Sequence, residues 1–106
     1  KKNDLIKIRE QEARDAAKAL NCKSIHFFGY PDGITGFDKP MKIAVIEYLK
    51  KINPDIIFLH AEDDQNSDHR ICTKLILDAI GAAKGPWYPE TSAIHINPKL
   101  IIGYEV

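Results

Sequence analysis

Long apolar runs are missing from this chain. No stretch approaches the roughly 20 residues that a membrane-spanning helix needs, so a membrane partner is not expected. Cysteine is scarce. Cys22 and Cys72 are the two in 106 residues, without C-x-x-C spacing. They read as reduced, half-buried core thiols, which fits a reducing cytoplasm. Excess charge of either sign is also absent: 15 basic and 15 acidic side chains give a formal net charge of zero. With no Lys/Arg block, a nucleic-acid footprint is not expected. The opening "KKNDLIKIREQE" is charged and has no apolar core of a secretory signal. Repeats and low-complexity segments are lacking too. What remains is a cytoplasmic chain long enough for one small domain with one modest core.

Apolar spacing then orders the chain. Asn3 or Asp4 is placed to cap a helix running to about Leu20, with Ala13, Ala16, Ala17 and Leu20 on one face. Asn21 suits the left-handed residue after a helix end. "SIHFFG", Ser24 to Gly29, reads as a buried strand, and "YPDGITGFDKP" as a loop. Asp38 can cap a second helix that tolerates Pro40 in its first turn and stops at Asn53-Pro54. "DIIFLH" is the next strand, and its consecutive apolar residues predict burial on both faces. Ile71, Cys72, Leu75, Ile76, Ala79 and Ile80 then form a helical stripe ended by Gly81 or Gly85. The tail "SAIHINPKLIIGYEV" reads as β structure broken at Asn97-Pro98. This alternation predicts an α/β fold: a mostly parallel sheet with helices on both faces, Rossmann-like in three layers. A charged helix first and an apolar residue last read as one piece of a larger domain, with sheet edges that want partners or a second copy.

In such sheets ligands bind beyond the carboxyl ends of the strands. Two acidic loops emerge there: "GYPDGITGFD" and "HAEDDQNSDHR". The second packs four carboxylates and two histidines into the eleven residues from His60 to Arg70. His69 falls in the first turn of the last clear helix, with Asn66 or Ser67 as cap. It is either a zinc ligand oriented by Asp64 or Asp68, or a solvated histidine among carboxylates that suit the helix dipole. Asp63, Asp64 and Asp68 share that ambiguity, and their spacing is not that of an EF-hand. His60 can point into the crevice or be a hydrogen-bonded structural residue. His26 and His95 are structural by default. Trp87 and Tyr88 either line a groove or pack their loop onto the body. Arg9 either grips a substrate group or pairs with Glu12 or Asp15.

Three stretches together resemble the PIG-L/LmbE-like zinc deacetylases, which remove N-acetyl groups from amino sugars and related glycosides. "IREQEARDAAKALNCKSIHFFGYPDG" is similar to the family's Arg-x-x-Glu helix, strand and aspartate-containing loop. "INPDIIFLHAEDDQNSDHR" is similar to its Pro-Asp strand and Asp-x-His-x-Asp-His motif. "GYEV" is similar to a late-strand Tyr-Glu-Val segment. The resemblance implies His69 as a zinc ligand, Asp68 as a supporting group, Arg9 as facing an N-acetylated sugar, and Zn2+ as cofactor. Asn66 stands where many members have a histidine that polarises the scissile carbonyl. An asparagine there can donate an N–H but cannot carry a proton. The family's "HPDD"-type motif, which supplies two more zinc ligands and the general base, has no counterpart in these 106 residues. The expectation is a deacetylase in the parent protein and an inactive segment by itself.

Overall fold

The computed structural model describes residues 2–31, 33 and 35–104. Asp32 of the expected loop, and Glu105 and Val106 of "GYEV", lie outside the described residues. Among the described residues three helices and two strands follow one another: α1 (Lys2–Ala19), α2 (Lys39–Ile52), β1 (Ile56–His60), α3 (Ser67–Ala83) and β2 (Leu100–Tyr104).

Local chemistry sets the helix ends. After α1, Asn21 is left-handed at φ 59°. The Cys22 N–H then reaches Ala17 O at 2.8 Å and the Asn21 N–H reaches Lys18 O at 3.0 Å, the paired bonds of a Schellman ending. Asp38 caps α2 by accepting from the Met41 N–H at 2.9 Å. Asn53, left-handed at φ 49°, ends α2 by donating to Leu49 O at 2.7 Å. The third helix runs through Gly81 to Ala83, because a single helical glycine costs only about 1 kcal/mol and its neighbours Ala79, Ile80 and Ala83 are buried.

β1 and β2 pair in parallel, Ile56 opposite Leu100 and His60 opposite Tyr104. The crossover between them is α3, as a parallel pair requires. α2 packs on α3, and α3 on β1. Val45, Ile46 and Leu49 of α2, Ile57 and Leu59 of β1, and Leu75, Ala79 and Ile80 of α3 make one core with Ile96.

The α/β class and the parallel pairing are those expected, and three expectations are corrected. The sheet has two strands among the described residues, because Ser24–Gly29 forms no ladder. That segment is held through its rings instead: His26 stacks on Tyr48 at 4.8 Å and Arg14 lies 5.1 Å over Phe27. Among the described residues helices cover the sheet on one face, giving two layers. Ile57 and Leu59 are buried, while Ile56 and Phe58, pointing the other way, are 51 % and 64 % exposed. Helix α1 buries no residue and approaches no other helix or strand, so it does not cover the open face. The cysteines are both exposed and unpaired. Cys72 neighbours buried Thr73 on α3 but keeps open surface, although the protein packed round it raises its thiol pKa above the ordinary value.

Candidate metal centre

β1 delivers His60 to its carboxyl end, and α3 begins seven residues later. The turn between them is tied internally. The Asp64 N–H donates to Ala61 O at 3.1 Å. Arg70 Nη1 donates to Asp64 O at 2.7 Å and to Gln65 O at 2.9 Å. Asn66 caps α3: its Oδ1 accepts from the Asp68 N–H at 2.8 Å and the His69 N–H at 3.3 Å. The Asn66 N–H in turn donates to Asp64 Oδ1 at 2.8 Å.

These bonds bring Asp64 Oδ1 within 3.1 Å of His69 Nδ1. The Asn66 amide is the chief reason the Asp64 carboxyl sits below its ordinary pKa. Burial opposes that shift, and His69 adds to it. Asp64 is therefore ionised at neutral pH and can only accept. Nδ1 of His69 is therefore the donor in this contact, and in the neutral ring Nε2 then carries the lone pair that a metal would take. A carboxylate behind a histidine in this way is the usual support of a zinc ligand.

The His60 ring lies flat on that of His69, with centroids 3.7 Å apart and planes 2° from parallel. Tyr104 is 5.3 Å from His60 and tilted by 36°. His60 Nδ1 is buried without a hydrogen-bond partner among the described residues. His60, Asp64 and His69 offer ligand atoms within 4.8 Å of one another, a nitrogen–oxygen–nitrogen set of the kind zinc takes. The stacked rings nevertheless do not chelate one ion together. Imidazole lone pairs lie in the ring plane. An ion shared equally would sit roughly half of the 3.7 Å separation out of each plane, nearly the full length of a ~2.0 Å Zn–N bond. The residues present fit zinc at one corner: His69 as ligand and Asp64 behind it.

Asp68 joins the two loops that the sequence sends to this edge. Its Oδ2 accepts from the Gly33 N–H at 2.9 Å, and its Oδ1 is buried without a partner among the described residues. Gly33 has φ +76°, a backbone that favours glycine. Asn66 lies beside the cluster with its oxygen committed to the cap. Arg9 stands apart, in a helix that packs on no other element, and pairs with Glu12 at 3.7 Å. Tyr88 packs against the core beneath Lys42, whose Nζ is 5.4 Å from the ring. Trp87 is exposed. The residue that sequence reasoning undervalued is His60. Its signal was positional: the last residue of a parallel strand, nine before a first-turn histidine on the crossover helix.

This is an α/β fold that brings a carboxylate-backed histidine, at the start of the crossover helix, to the carboxyl end of a parallel strand, an arrangement that could supply one ligand of a metal ion. The chain belongs to the PIG-L family, GlcNAc-PI de-N-acetylase, whose model matches residues 1–80; this is a family of metal-dependent deacetylases. The crystal structure of the conserved protein TT1542 from Thermus thermophilus is similar, with a TM-score of 0.82 at 21 % identity over 92 % of this chain. That likeness establishes the fold. The chain spans 44 % of TT1542, less than half its length.

Proposed function

We propose that the full protein is a zinc-dependent deacetylase that removes the N-acetyl group of an amino sugar or glycoside. The observation that carries this reading is the Asp64–His69 pair, 3.1 Å apart at the start of α3, in a chain of a deacetylase family. His69 holds the metal through Nε2. Asp64 keeps the Nδ1 proton in place and fixes the ring's direction. Zinc, when bound, supplies Lewis-acid polarisation and a nucleophile active at neutral pH. Asp68 holds the Gly33 loop against the start of α3, so that the two loops form one wall of the substrate cleft. The Asn66 amide still has N–H groups to offer a carbonyl oxygen, but no proton to give. A catalytic zinc takes three protein ligands. In this reading the other two, and the general base, come from residues of the full protein outside these 106.

One observation favours a second reading, a family member that binds sugar without cleaving it: Asn66 is used as a helix cap. Acetate release from N-acetylglucosamine-containing glycosides by the full-length protein separates the two. Turnover lost in His69→Ala supports the enzyme. Zinc binding without acetate release over that substrate panel supports the binding module.

A further inference from the structure

We propose that His60 is a positioning residue that sets the ring plane of His69. This rests on the reading of His69 as a zinc ligand and adds a residue to it.

One hydrogen bond cannot orient an imidazole fully. The Asp64 contact restrains Nδ1, but a hydrogen bond of 3.1 Å tolerates small rotations of the ring about χ1 and χ2. Such rotation swings Nε2, and the metal must follow the in-plane lone pair. A flat surface against the ring removes this freedom. His60 supplies one, at 3.7 Å and within 2° of parallel.

His60 is itself held by the sheet. Its carbonyl accepts from Thr73 Oγ1 at 2.9 Å, and Thr73 is buried in α3. Its partner in the register is Tyr104, whose carbonyl accepts from the Ala61 N–H at 2.9 Å. The position of His60 therefore follows from β1, β2 and α3 together. Its buried Nδ1 makes no hydrogen bond among the described residues, so backbone and packing hold the ring. Parallel stacking also keeps it from sharing the ion with His69, which separates a positioning role from a ligand role. The sheet thereby transmits its rigidity to a side chain on the neighbouring helix.

The test is zinc affinity of the full-length protein, with the visible spectrum of the cobalt(II)-substituted form as a readout of coordination geometry. His60→Phe keeps a flat ring without a nitrogen and is expected to retain near wild-type affinity and spectrum. His60→Ala removes the ring, and His60→Leu fills the volume without a flat face. Both are expected to weaken zinc binding by about 10- to 100-fold, the usual effect of losing a ligand's support, and to alter the cobalt spectrum. His60→Leu decides the matter should His60→Ala fail to fold. Unchanged affinity and spectrum in the Ala and Leu variants would overturn the proposal. So would a loss in His60→Phe as large as in His60→Leu, because it would make the nitrogen a ligand. His69→Ala is measured alongside. Zinc retained there sinks the reading on which the proposal rests, whereas zinc lost there with His60→Leu unaffected sinks the stacking role alone.

Discussion

Asp64 serves two partners with one carboxylate oxygen: the Asn66 N–H that closes the turn and the His69 ring that the turn presents. This makes it sensitive to acid in a defined direction. Its folded-state pKa lies below the ordinary value of 3.8, so as pH falls the unfolded chain takes up this proton first. The stability that Asp64 contributes is complete above the ordinary value and disappears as pH drops through the lowered one. Urea unfolding of the wild type and Asp64→Asn at a series of pH values should show a gap at neutral pH that closes below about pH 4. A gap that widens in acid would contradict the assignment. The Asp64–His69 pairing was legible as a candidate in the spacing around a helix start. The stacking of His60 was not, because it depends on where β1 ends relative to α3 in space, and no local pattern records that.

Among the elements, α2 and α3 followed from their periodicity, and their caps followed from Asp38, Asn53 and Asn66. Those signals are local: a side-chain acceptor at one position and a left-handed residue at another decide the boundary. Ser24–Gly29 was harder to read because an apolar, aromatic hexapeptide becomes a strand only beside another strand. Here its rings lie on Tyr48 of α2 instead. The anchoring of α2 at its far end was also invisible in the sequence. Lys50 is 2 % exposed, and its Nζ donates to Thr91 Oγ1 at 2.9 Å and to Ser92 O at 2.6 Å. A lysine in the last turn of a helix ordinarily reads as solvated. Lys50→Ala removes a buried stem and both donations, and should destabilise by roughly 2–3 kcal/mol. Lys50→Met keeps the stem and should cost less. Equal midpoints for the two variants in urea would show that the hydrogen bonds, rather than the packing, matter.

At the scale of the whole molecule, a one-sided sheet sets the character of the surface. Ile56, Phe58, Leu100 and Tyr104 leave 44–64 % of their surface open. This apolar face is open in these 106 residues, which span 44 % of the similar structure. These 106 residues produced alone should bind an apolar fluorescent dye while folded, and Phe58→Glu should lower that signal without lowering helix content. Equal dye binding in the variant would place the apolar surface elsewhere. The same architecture puts His60 at one end of β1 and His69 on the crossover helix that follows, and in the proposed reading it brings one zinc ligand and the ring stacked on it together from two elements adjacent in sequence. The most direct test of that claim is the zinc retained by the full-length protein after exchange into metal-free buffer, compared with His69→Ala. The wild type should keep its zinc, and the variant should lose it while remaining folded by circular dichroism. Equal zinc in the two proteins would contradict the account.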